Sequence, residues 1–109
     1  MDCVADTIYY EARGEGEQGM RAVAHVIYNR AKRTGTNPCR IVHQPGQFAT
    51  GPSRPHDAAW KRALKIAINP GIDITRGATY FHNYTVRPKW IRNLVVTYKW
   101  GNHIFYRGR

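Results

Sequence analysis

The chain has 109 residues, enough for one domain that buries roughly two-thirds of its unfolded surface. A hydrophobic content of 42%, with three Trp, seven Tyr and three Phe, excludes a disordered chain, and no apolar run approaches the roughly 20 residues of a membrane span. Seventeen basic against seven acidic residues give a net charge of +10, which predicts an anionic partner such as nucleic acid, anionic lipid, lipopolysaccharide or bacterial cell wall.

From Asp2, a candidate cap, Val4, Ile8 and Ala12 recur at helical spacing and predict a first helix that ends near Glu11. Gly14, Gly16 and Gly19 interrupt it. A second helix is expected over 18–32, with Met20, Val23, Ala24, Ile27 and Ala31 as its apolar stripe. Asn37 as cap and Pro38 at the first helical position open a short third helix to residue 43. A turn at Gln44-Pro45-Gly46-Gln47 and a breaker-rich loop over 51–55 precede a fourth helix over 56–68, with Trp60, Ala63, Leu64 and Ala67 on one face. The period then changes. Residues 78–82 are strand-like, Pro88 marks a loop, and Leu94, Val96, Tyr98 and Trp100 are expected to share one face of a strand. Gly101-Asn102 signals a hairpin whose return strand covers 103–106. Helices followed by strands predict an α+β fold in one domain over 1–109, mainly helical for two-thirds of its length and ending in a β-hairpin region.

Three of the seven carboxylates fall in Tyr10-Glu11-Ala12-Arg13-Gly14-Glu15-Gly16-Glu17. Glu11 is the lead candidate for chemistry. Cleaving a glycosidic bond needs a carboxylic acid that protonates the leaving oxygen, and a glutamate on an apolar helix before a glycine-rich turn can be desolvated enough to hold its proton. A surface glutamate paired with Arg13 or Arg21 is the structural alternative. Glu15 and Glu17 suit the first turn of the next helix, with Glu15 and Arg13 as supports around Glu11. Gln47, Phe48, Tyr80, His82, Trp90 and His103 are candidate sugar-binding residues, although such rings more often fill cores. Five histidines with neither an HExxH pattern nor i, i+4 pairs predict no metal and no cofactor. A bridge between Cys3 and Cys39 would close a loop of about 37 residues and contribute about 4 kcal/mol.

Ordered blocks of this sequence resemble the cell wall hydrolase family that includes the bacterial spore cortex-lytic (SleB-type) enzymes. They are Ile8-Tyr9-Tyr10-Glu11-Ala12-Arg13-Gly14-Glu15, Gly19-Met20-Arg21-Ala22-Val23-Ala24 with Val26-Ile27-Tyr28-Asn29-Arg30, Gln44-Pro45-Gly46-Gln47-Phe48, Gly77-Ala78-Thr79-Tyr80-Phe81-His82, and Gly101-Asn102-His103-Ile104-Phe105-Tyr106-Arg107. The resemblance implies a small lysozyme-like fold and cleavage of peptidoglycan between N-acetylmuramic acid and N-acetylglucosamine. It assigns Glu11 as the single acid/base of a lytic transglycosylase, with a hydrolytic muramidase as the alternative outcome at the same site. It also favours a Cys3–Cys39 disulfide.

The partners so implied are peptidoglycan glycan strands and, through charge, anionic envelope polymers, acted on by a monomer in the periplasm or outside the cell. Residues 1–5 lack the basic and apolar regions of a signal peptide, which predicts holin-dependent release, as for a phage endolysin, or a leader outside this sequence. The competing class is a small basic nucleic-acid-binding protein. No helix-turn-helix, ribonucleoprotein or zinc-finger pattern supports it.

Overall fold

The computed structural model describes residues 2–44, 48 and 57–109. Helix α1 (Asp2–Ala12) buries Val4, Ala5, Ile8, Tyr9 and Ala12. Asp2 lies inside its first turn, where its charge meets the positive end of the helix dipole. A 3-10 turn (Arg13–Glu15) then separates α1 from α2 (Gly16–Thr34). Helix α2 is longer at both ends than its apolar stripe predicts. It stops where Gly35 turns left-handed (φ +70°) and its N–H reaches the Ala31 carbonyl.

Helix α3 (Pro38–Val42) opens as expected: the Asn37 side chain accepts from the Arg40 N–H at 3.0 Å, and Pro38 fills the first position. The Cys3–Cys39 disulfide joins the first turns of α1 and α3 across 36 positions. Helix α4 (Ala58–Ile68) is capped by Asp57, whose Oδ1 accepts from the Trp60 N–H at 2.9 Å. Asp57 Oδ2 also accepts from the Tyr9 hydroxyl at 3.0 Å, which fastens α4 to α1. The expected turn at 45–47, the loop over 51–55 and the helix start at His56 lie outside the described residues.

Three antiparallel strands follow: β1 (Tyr80–Asn83), β2 (Leu94–Trp100) and β3 (His103–Gly108), in spatial order β1-β3-β2. The α+β expectation holds, with two corrections. The stretch expected as plain loop contains a 3-10 helix, Lys89–Asn93. The expected common face of Leu94, Val96, Tyr98 and Trp100 is broken by a bulge. Val96 pairs with Tyr106 but Tyr98 with Phe105, so Thr97 is extra and the alternation changes phase. Val96 is accordingly 48% exposed, while Tyr98 packs 5.8 Å from the Phe105 ring.

The core lies between the helices and one face of β3. Val4, Ile8, Met20, Val23, Ile27, Ile41, Trp60, Ile66 and Phe105 are all buried in it. Among the described residues, no helix is long and apolar enough to cross a membrane.

Candidate active site

The end of α2, strand β1 and the 3-10 helix over 89–93 enclose a cavity of about 500 Å³. Four of the six sugar-binding candidates line it: Phe48, Tyr80, His82 and Trp90. The 3-10 helix, which has no clear sequence signal, is what lays Trp90 there. Its ring centroid is 5.5 Å from Tyr80, 5.7 Å from His82 and 6.0 Å from Tyr106. His82 is fixed at both ring nitrogens. One donates to the Asn83 carbonyl and the other accepts from the Tyr106 hydroxyl, both at 2.8 Å. Gln47 lies outside the described residues.

Phe81, Val86 and Pro88, from the 80–90 region that the sequence suggests as a groove wall, complete the lining together with Arg30, which sequence reasoning missed. Arg30 had a usable signal: it sits four residues after Val26 and three after Ile27, on the buried stripe of α2, where an arginine needs a reason to be. Its Nε donates to the Thr79 carbonyl at 3.0 Å. Its guanidinium lies 5.2 Å from the Phe48 ring and 4.9 Å from the Tyr80 ring. Burial draws its pKa down from the usual arginine value against an opposing pull from Tyr80, and an arginine keeps its charge there at neutral pH.

Glu11 is the penultimate residue of α1, half-buried, and is not part of this lining. The 3-10 turn after it takes Glu15 off any common helical face. Glu15 instead fastens the β2–β3 hairpin. Its carboxylate accepts from the Asn102 N–H at 3.2 Å, and its backbone carbonyl accepts from the Trp100 indole at 2.9 Å. Gly19 permits this approach, since a Cβ there would fall 2.4 Å from the Glu15 Cβ and 3.1 Å from the Trp100 ring.

His103, next along the hairpin, is only 6% exposed and packs edge-on to Phe81 at 5.1 Å. It therefore links the Glu15 anchor to the cavity wall without lining the cavity. Burial lowers its pKa below the usual histidine value, Glu15 opposing and His82 assisting, and its Nδ1 has no hydrogen-bond partner. Arg13 donates to the Tyr9 hydroxyl at 3.2 Å and lies 5.1 Å over that ring, so these contacts serve the α1–α4 junction. Arg21 reaches Glu17 at 3.6 Å and donates to the Pro70 carbonyl at 3.0 Å.

Four of the seven carboxylates thus have visible scaffold tasks. Asp57 caps α4, Glu15 holds the hairpin and Glu17 pairs with Arg21. Asp73 organises its own turn: burial would raise its pKa, but bonds from Thr75, Asn29 and Gly77 outweigh that and hold it below the usual carboxylate value. No group of three or more potential metal ligands occurs among the described residues.

The model of the cell wall hydrolase family matches residues 14–106, beginning just past Glu11. The spore cortex-lytic enzyme of Bacillus cereus is 34% identical over 110 residues, covering 94% of this chain and 42% of that protein. The enzyme of the same name from Halalkalibacterium halodurans is 34% identical over 113 residues, covering 94% of this chain and 33% of its own length. The chain therefore spans less than half of these relatives. Among solved structures, the catalytic domain of Bacillus cereus SleB superposes with a TM-score of 0.78 at 32% identity, covering 97% of this chain and 88% of that one. The catalytic domain of the germination-specific lytic transglycosylase SleB from Bacillus anthracis gives 0.78 at 31% identity, covering 97% and 92%. With a family model matched over most of its length and relatives at 34% identity, the chain belongs to the cell wall hydrolase family.

Proposed function

We propose that this domain cleaves the β-1,4 bond between N-acetylmuramic acid and N-acetylglucosamine in peptidoglycan, with Glu11 as general acid and base. The observation that carries the assignment is the position of Glu11, half-buried at the end of an apolar α1 and just before the 3-10 turn whose Glu15 holds the β2–β3 hairpin. A carboxyl in such a setting protonates the glycosidic oxygen as it leaves. The resulting carboxylate then takes the proton of the incoming nucleophile.

With one carboxyl doing both jobs, the nucleophile that fits is the 6-hydroxyl of the same muramic residue, already in place and needing no second base. The product is a 1,6-anhydro end, the outcome of a lytic transglycosylase. Relatives described as lytic transglycosylase and spore cortex-lytic enzyme support this reading. The aromatic cavity suits the flat faces of sugar rings, and the +10 charge suits an anionic wall.

Glu11→Gln keeps shape and removes the acid. Lysis of purified peptidoglycan should fall by at least about 100-fold, in the range expected for general acid–base catalysis, with thermal unfolding unchanged. Activity within a few-fold of the parent would remove Glu11 from the mechanism. Mass spectrometry of the fragments separates the two outcomes: anhydro ends for transglycosylation, reducing ends for hydrolysis.

A further inference from the structure

The aromatic cavity does not end at Arg30. Two shallower hollows continue from it along the end of α2, of about 350 and 410 Å³. The first shares Arg30 and Tyr80 with the cavity, and the second shares Arg33 and Thr79 with the first. Along this path lie Arg30, Lys32, Arg33 and Arg107, and no aspartate or glutamate lines it among the described residues.

Part of this charge has a local reason, because cations near a helix C-terminus complement the dipole. That explains Lys32 and Arg33 in the last turn of α2. It does not explain Arg107, which arrives from β3. The two guanidinium groups meet around Gly108. Arg107 donates to the Gly108 carbonyl at 3.3 Å, and a Cβ on Gly108 would fall 3.2 Å from Arg33 Nη1. Like charges gathered on one trough repel each other, a cost that a bound anion removes.

We propose that this trough binds the carboxylates of the acidic peptides that branch from muramic acid. The inference rests on peptidoglycan being the substrate. In a peptide-bearing strand the lactyl carboxyl of each muramic residue is tied up in the amide bond to its peptide, so the strand's negative charge is carried on the peptide branches. A strand seated on Tyr80 and Trp90 extends its branch toward the neighbouring hollows. Guanidinium groups grip a carboxylate through paired N–H donors, which a flat cationic surface does not require and a peptide terminus supplies.

The test compares strands that carry peptides with strands stripped of them by an amidase, the lactyl carboxylates so freed being capped as methylamides. The parent should cleave peptide-bearing strands with the higher kcat/KM. In Arg33→Ala/Arg107→Ala, two exposed positions, that preference should shrink about tenfold, as expected for losing two charge-assisted contacts. An unchanged preference overturns the proposal. Equal loss on both substrates also overturns it, because the trough would then grip polymer generally. A loss seen only with phosphate-bearing wall polymers would assign the trough to phosphate and overturn it as well.

Direct binding of the purified acidic stem peptide to the parent, weakened by both substitutions and by capping its carboxylates as amides, reads the same site without catalysis. If the parent cleaves neither strand, the peptidoglycan reading fails while this measurement still decides the trough.

Discussion

Gly101→Ala is the sharpest test of how the hairpin is tied to the end of α1. Gly101 has φ +54°, a left-handed conformation that costs a residue with a Cβ about 1–2 kcal/mol. The new Cβ would also fall 1.7 Å from Glu15 Oε2. That carboxylate is the far end of a flexible side chain and can swing away, so the second cost is its bond to the Asn102 N–H, about 0.5–1.5 kcal/mol. The sum is about 1.5–3.5 kcal/mol, or a fall in melting temperature on the order of 6–15 °C for a domain near this size.

Differential scanning calorimetry on the single and double variants separates the two terms. In a Glu15→Ala background the clash is gone, so Gly101→Ala should cost only the backbone term. The cycle should then show coupling of about 0.5–1.5 kcal/mol. Strict additivity would refute the claim that Glu15 holds the turn, and a melting temperature within about 2 °C of the parent would refute both terms.

Two further outcomes follow from the scaffold. Replacing Cys3 and Cys39 by alanine should lower unfolding free energy by about 4 kcal/mol at most, since the bridge closes a loop across 36 positions; denaturant titration with and without reductant measures it. His103 resists protonation in the folded state, so below pH 6.5 the unfolded chain takes up a proton that the folded chain refuses, and stability falls as pH drops toward the lower folded pKa. His103→Gln should flatten that segment of the stability–pH curve; an identical slope in the variant would show that other groups carry it.

Where signals are local, the sequence is a good guide to this fold. Asn37-Pro38 names its own helix start, Gly101-Asn102 its own turn, and the apolar stripe of α2 its buried face. What escapes is what depends on a distant partner. The bulge at Thr97 exists because β2 must follow β3 past a change of register, and nothing in Leu94–Trp100 alone reports that. Asp57 caps α4 while binding a tyrosine 48 positions away. The site divides in the same way. Flat rings mark Phe48, Tyr80, His82 and Trp90, which do converge, whereas Arg30 is legible only as a cation on an apolar stripe and His103 is a link behind the wall.

Helix α2 sets a length scale. It begins one short turn after Glu11 and rises about 1.5 Å per residue, so its 19 residues carry the chain about 28 Å to the cationic trough. The helix is a ruler laid between the proposed site of bond cleavage at Glu11 and the proposed site of branch recognition. A short oligosaccharide that reaches Glu11 leaves the far end of the ruler empty, whereas a long strand can occupy both. Turnover should therefore rise with chain length well beyond the sugars that flank the broken bond, and fragments should become poorer substrates as digestion shortens them.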